Sequence, residues 1–139
     1  MLFAVDVGNT QTVLGLFDAE NLVAHWRISS NASLTSDELR VKVAGLLTLA
    51  GRSFSEIEHM IMSSVVPRLT AAWEDVAHAV GCQPMVVGPG LKTGMPIRYD
   101  NPHEVGADRI VNGVAAFERF GGPVIVVDFG TATTIDVIA

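Results

Sequence analysis

Residues 1–17 read MLFAVDVGNTQTVLGLF, and residues 121–139 read GGPVIVVDFGTATTIDVIA. Both stretches contain an apolar run, an aspartate, one apolar residue, a glycine, small polar residues and a second apolar run. Two apolar runs joined by a short turn that contains glycine predict a β-hairpin, and Asp6 and Asp128 hold equivalent positions in the two copies. The repeat therefore predicts two related lobes, each of which starts with such a hairpin.

The residues between the hairpins alternate between strand and helix patterns. Residues 22–29 alternate as a strand does, and residues 35–38 (TSDE) form a capping box that predicts a helix ending at Gly51. The next patterns predict a strand at 60–66, a helix that follows this strand and ends at Gly81, and a strand at 85–87. A loop is predicted at 88–102. A helix is predicted to start at Asn101-Pro102 and run to about Phe120, and strands follow at 124–128 and 134–138.

This order of elements predicts the fold class. The chain reads βββαβαβα, followed by the hairpin that opens the second copy. Strands that pair first with each other and then alternate with helices are typical of an α/β fold with a mixed sheet and helices on its faces. We expect a first lobe at residues 1–122 and the start of a truncated second lobe at 123–139.

Composition narrows the class of protein. The chain has 139 residues, of which 49% are hydrophobic and 17% charged, as expected for a globular domain with a real core. No apolar run reaches the roughly 18 residues of a membrane helix, and no basic segment precedes the first strand, so we expect a cytoplasmic protein without a membrane partner. A net charge of −6 without a Lys/Arg cluster argues against a nucleic-acid partner.

The DVGNTQT stretch has the chemistry of a phosphate-binding turn. Asp6, at the end of a buried strand, is well placed for a cation, and Gly8 allows the backbone to turn tightly and approach a ligand. The amides of the turn and the side chains of Asn9, Thr10 and Thr12 offer hydrogen-bond donors for phosphate oxygens. The alternative is that Asp-x-Gly-Asn only makes a hairpin turn. The second copy favours phosphate binding, because it repeats the polar turn with Asp128, Gly130, Thr131, Thr133 and Thr134.

A second group of candidate residues lies in YDNPHEVGADRIVNG, where the loop meets the third helix. Phosphoryl transfer requires an acceptor for the proton of the attacking hydroxyl, and Asp108 is our candidate for this base. Arg109 is suited to bind a carboxylate or phosphate, and Tyr99 offers a ring face and a hydroxyl. The alternative is an Asp-Arg pair on a solvated helix face with a tyrosine in the core.

Three motifs together resemble one family. DVGNT at 6–10, YDNPHEVGADR at 99–109 and DFGTATT at 128–134 closely resemble the type III pantothenate kinases, members of the acetate and sugar kinase, Hsp70 and actin superfamily. The resemblance implies a ribonuclease H-like (actin-like ATPase) lobe. It also implies transfer of the ATP γ-phosphoryl group to pantothenate, which forms 4'-phosphopantothenate in the first step of coenzyme A synthesis.

The resemblance also implies roles for single residues. Asp108 would be the proton acceptor, Asp128 would bind a monovalent cation (potassium or ammonium), and Asp6 would face the magnesium or other divalent ion that accompanies ATP. The residues implied for ATP binding are Asp6, Val7, Gly8, Asn9, Thr10, Gln11, Thr12, Val13 and Thr131. Those implied for pantothenate binding are Tyr99, Gly106, Ala107, Asp108 and Arg109.

The family resemblance further implies a homodimer and a complete second lobe, of which this chain holds the first hairpin. Two other functions are compatible with the same motifs. One is a non-catalytic regulatory protein built on the same lobe, and the other is a kinase that phosphorylates a different small alcohol. Activity of the full-length protein on pantothenate and on a panel of alcohols separates the three.

Overall fold

The computed structural model describes residues 1–88 and 90–139, which form two compact units, Met1–Val86 and Val87–Ala139. The first unit contains a mixed sheet, and the second contains a helix packed on a hairpin. The predicted α/β class with a mixed sheet is confirmed.

The sheet of the first unit has the strand order β3-β2-β1-β4-β5. Neighbouring strands β1, β2 and β3 are antiparallel, whereas β4 runs parallel to β1 and β5 parallel to β4. The strands are β1 (Leu2–Val7), β2 (Gln11–Asp18), β3 (Asn21–Ser29), β4 (His59–Ser64) and β5 (Pro84–Val86).

Two helices of this unit begin where the sequence predicts. Helix α1 (Ser36–Leu49) has Thr35 as its N-cap, and the capping box with Glu38 is complete. Helix α2 (Pro67–Ala79) starts with proline, whose missing N–H costs nothing in the first turn. Both helices bury one stripe of apolar side chains, including Val43 of α1 and Trp73 of α2, in the core.

Alternation along β1 decides which side chains face the core. Phe3, Val5 and Val7 are buried with the helices, so Asp6 lies on the opposite face of the strand. The register places Asp6 beside Val13 of β2 and Ser63 of β4.

The second unit is built from α3 (Ala107–Phe120) and the antiparallel strands β6 (Val124–Phe129) and β7 (Thr133–Ile138). Helix α3 contacts both strands. One face of the hairpin carries apolar side chains that are 46% to 83% exposed: Ile125, Val127, Phe129, Ile135 and Val137.

The predicted start of the third helix at Asn101-Pro102 is wrong. The Asn101 side chain accepts a hydrogen bond from the N–H of His103, 3.2 Å away, but this contact caps only a 3₁₀ turn at Pro102–Glu104. Val105 and Gly106 then have extended backbones, so α3 begins separately at Ala107. The predicted end at Phe120 is confirmed.

Candidate functional site

The turn between β1 and β2, residues 8–10, is here called the first turn. The N–H of Gly8 donates to the carbonyl oxygen of Gln11 at 3.0 Å. A Cβ atom on residue 8 would lie only 2.9 Å from that same oxygen, closer than side chains normally approach. Glycine is therefore required by a close backbone approach within the turn.

Polar side chains surround the first turn. Asp6, Asn9, Thr10 and Gln11 are all exposed. The carbonyl oxygen of Thr10 accepts a hydrogen bond from the N–H of Ser30 at 2.9 Å, which ties the turn to the end of β3. The turn thus presents a carboxylate and several polar groups from a well-anchored backbone.

Thr12 differs from the expectation that its hydroxyl serves a phosphate. Its side chain is 1% exposed, and its Oγ1 lies 2.8 Å from Oγ of Ser30. Because β2 alternates, Thr12 shares the buried face with Leu14, and its hydroxyl is occupied inside the unit. Val7 is also buried, and its carbonyl oxygen accepts a hydrogen bond from the N–H of Val65 at 3.0 Å.

Ser63 is a residue that the sequence analysis missed. It stands beside Asp6 in the register of β1 and β4, and it is 5% exposed. Its Oγ has no hydrogen-bond partner among the described residues. Ser63 and Ser64 follow the apolar residues 60–62, and this pattern carries no sequence signal of such a position.

The turn between β6 and β7, residues 130–132, is here called the second turn. Thr131 at its tip is exposed, and the N–H of Gly130 donates to the carbonyl oxygen of Ala132 at 3.2 Å. Four residues, 8–11, lie between the last cross-strand pair of the first hairpin, Val7 and Thr12, whereas three, 130–132, lie between Phe129 and Thr133. The repeated sequence therefore forms two hairpins of different register.

Asp128 is held by a residue of α3. Its Oδ2 accepts a hydrogen bond from Nδ2 of Asn112 at 2.9 Å, and both side chains are half-buried. Within residues 1–88 and 90–139, no group of three or more His, Cys, Asp or Glu side chains could hold a metal ion. The hydrogen bond from Asn112 therefore restricts the orientation of the Asp128 carboxylate.

Asp108 is the second residue of α3 and lies in its first turn, two residues after the N-cap Gly106. The N–H of Arg109 donates a hydrogen bond to Oδ1 of Asp108 at 2.9 Å. A carboxylate at this end of a helix is stabilised by the helix dipole. Asp108 is half-buried, so it remains accessible to a substrate hydroxyl.

A cavity of about 140 Å³ lies between α3, β7 and the loop before the helix. Tyr99 and Arg109 line it, as do apolar side chains and Gly113. A Cβ on Gly113 would lie 2.9 Å from Cε of Met95, so glycine preserves this space. Asp108, Gly106 and Ala107 are not among the described residues of the lining.

Arg109 is held on two sides. Its Nε donates to Oδ1 of Asp136 at 2.8 Å, and its Nη2 bonds to the same oxygen. Its Cζ lies 5.9 Å from the centre of the Tyr99 ring, within the range of a cation–π contact. Hydrogen bonding to Asp136 raises the pKa of the Arg109 guanidinium above its ordinary value, so this side chain stays charged.

Asp136 and Asn112 were both missed by the sequence analysis. The repeat gives no signal for Asp136, because it pairs with Val126 and its counterpart in the register of the first hairpin, opposite Ala4, is Gly15. For Asn112 we find no signal in the sequence beyond its place one turn after Arg109.

Helices that could cross a membrane are absent from the part of the chain that the structure describes.

Comparisons with known proteins agree on one family. A family model described as type III pantothenate kinase matches residues 2–139. The chain is 54% identical over 140 residues to a type III pantothenate kinase of Moorella thermoacetica, covering 100% of this chain and 55% of that protein. It is 56% identical over 139 residues to one of Geotalea uraniireducens, covering 99% of this chain and 54% of that protein. The chain spans about half the length of the curated relatives it matches.

Proposed function

This chain belongs to the type III pantothenate kinase family, and on that basis we propose that the protein transfers the γ-phosphoryl group of ATP to the primary hydroxyl of pantothenate. The observation that carries the proposal is the cavity lined by Tyr99 and Arg109, which opens beside the helix turn that holds Asp108. An aromatic face and a fixed cation suit an acceptor with an apolar body and an anionic end.

Asp108 is proposed as the general base of the transfer. It would take the proton of the substrate hydroxyl while that oxygen bonds to the γ-phosphorus and the bond to the β-phosphate oxygen breaks, which releases ADP. Gly106 and Ala107 would place backbone groups near the acceptor. Support for the base comes from the accessibility of Asp108 and from its position at the start of α3.

The first turn and its flanking residues are proposed to bind the ATP phosphates. The residues in question are Asp6, Val7, Gly8, Asn9, Thr10, Gln11, Thr12 and Val13, with Thr131 of the second turn as a further contact. Support comes from the exposed polar groups and from the close backbone approach at Gly8. Thr12 is 1% exposed and its Oγ1 lies 2.8 Å from Oγ of Ser30, so the exposed residues of this set carry most of the proposal. Asp6 is proposed to face the divalent ion that would neutralise phosphate charge.

Asp128 is proposed to bind potassium or ammonium. Its carboxylate is a hard oxygen donor, which fits such a cation, and the hydrogen bond from Nδ2 of Asn112 at 2.9 Å restricts its orientation. The bound cation would supply positive charge at the second turn.

Residues 1–122 are proposed to form a ribonuclease H-like lobe of the actin-like ATPase type, and residues 123–139 to open a second lobe. The repeated hairpin, its exposed apolar face and the greater length of the relatives support this division. We further propose a cytoplasmic homodimer without nucleic-acid or membrane partners, which rests on the family and on the net charge of −6.

A coupled assay of pantothenate-dependent ADP formation tests the proposed function. It is run on this chain and on the longest open reading frame that encodes it, with magnesium and with potassium or sodium. We expect turnover in the longest frame that requires both pantothenate and potassium. ADP formation with another alcohol but not with pantothenate would contradict the substrate, and nucleotide binding without any turnover would favour the regulatory alternative.

A further inference from the structure

Asp136 is the most informative residue outside the proposed machinery. It projects from β7 toward α3, and its side chain is 18% exposed. Burying a carboxylate costs free energy unless a partner compensates. The charge at this position therefore calls for a role beyond packing.

The contact geometry points to that role. Both hydrogen bonds from Arg109 go to the same oxygen of Asp136, and the Tyr99 ring lies near the guanidinium. These bonds use two of the five N–H donors of an arginine, which leaves donors for a ligand. Because the arginine lines the cavity while one edge is held by Asp136, its orientation there is restricted.

We propose that Asp136 is a positioning residue, which holds Arg109 so that its remaining donors meet the carboxylate of the acceptor and thereby sets the preference for an acid over a neutral alcohol. This inference rests on the proposed function. If Asp136 only stabilised the packing of α3 on β7, it would make the same contacts with Arg109. The test therefore needs a measurement that a change in stability alone does not alter.

The experiment compares two acceptors in the full-length enzyme. Initial rates are measured with pantothenate and with pantothenyl alcohol, in which a hydroxymethyl group replaces the carboxylate. In Asp136→Asn we expect the KM for pantothenate to rise about tenfold, with kcat within about threefold and with little change for the alcohol. The preference for the acid should fall accordingly, and Asp136→Glu should restore part of it.

Two controls isolate the role of Asp136. Glu118→Gln removes a carboxylate from the same helix, and this exposed side chain makes no hydrogen bond or ion pair within the described residues, so its kinetics should match the wild type. If Asp136 acts through Arg109, then Asp136→Asn should cause no further loss of preference in an Arg109→Gln background. Asp136→Leu, which also removes the carboxylate, replaces Asp136→Asn if that variant does not fold.

The outcomes separate this inference from the function on which it rests. A folded Asp136 variant with an unchanged preference for the acid, in an enzyme that phosphorylates pantothenate, would overturn the positioning role alone. A fall in kcat with an unchanged KM would overturn it as well. A wild-type enzyme that does not use pantothenate would overturn both proposals.

Discussion

Replacing Gly8 with alanine tests whether the first turn binds the nucleotide. The new Cβ would lie 2.9 Å from the carbonyl oxygen of Gln11, whereas ordinary contacts begin at 3.4 Å. The backbone therefore has to move by about 0.5 Å, and the oxygen that moves is the one that accepts the Gly8 N–H at 3.0 Å. Because this hydrogen bond joins the first residue of the turn to Gln11 directly after it, the displacement falls on the proposed phosphate site.

The expected loss follows from the size of this movement. A misplacement of about 1 Å can lower the rate about 100-fold, so about 0.5 Å should cost on the order of tenfold in kcat/KM for ATP. The weakened hydrogen bond should lower the free energy of unfolding by about 1 kcal/mol. Initial rates at varied ATP and saturating pantothenate measure the first effect, and urea denaturation measures the second. The KM for pantothenate should stay within about twofold of the wild type.

Gly45 provides the matched control. It is exposed in α1, and no described atom lies within 4 Å of the position that a Cβ would occupy. Gly45→Ala should stabilise the protein by up to about 1 kcal/mol through helix propensity and leave the kinetics unchanged. A Gly8→Ala enzyme with the wild-type kcat/KM for ATP would refute the assignment of the turn. Equal losses for ATP and pantothenate would indicate a global defect instead.

The remaining predictions concern three other sites. Asp108→Asn should lower kcat by about 100-fold or more while nucleotide binding, followed by titration calorimetry, is retained; near-normal turnover would remove Asp108 from the role of base. Asp128→Asn should mainly change the dependence of the rate on potassium, and an identical potassium titration would contradict the cation site. Thr35→Ala should lower the free energy of unfolding by about 1 kcal/mol without changing kcat. Hydrogen bonds from Thr35 lower the pKa of Glu38 from its ordinary value of 4.5, so the contribution of the Glu38 carboxylate to the capping box is complete above about pH 4.5 and is lost as the pH falls through the lower folded pKa. The free energy of unfolding of Glu38→Gln should lack this dependence on pH between about pH 7 and about pH 3, as measured by denaturation curves. If the wild type and Glu38→Gln lose stability in parallel as the pH falls, the capping box is not the source of the acid dependence.

Local elements were predictable where a few neighbouring residues decide them. The capping box at Thr35 and the proline at the start of α2 act within one helical turn, and both helices begin where the pattern predicts. The Asn101-Pro102 signal failed because a cap specifies only the first turn. The extended backbones at Val105 and Gly106 then ended that turn before α3 could continue it.

By itself, the sequence determined the α/β class, the two hairpins and the three motifs that connect the chain to its family, because periodicity and motif spacing are local properties. Only the tertiary structure decided which side chains share a site. It paired Arg109 with Asp136, held Asp128 with Asn112, and placed Ser63 beside Asp6. The tertiary structure also places the Thr12 hydroxyl 2.8 Å from Oγ of Ser30. The physical reason is that strand register and helix docking set these contacts, and a shift of one residue along a strand moves every side chain to the opposite face.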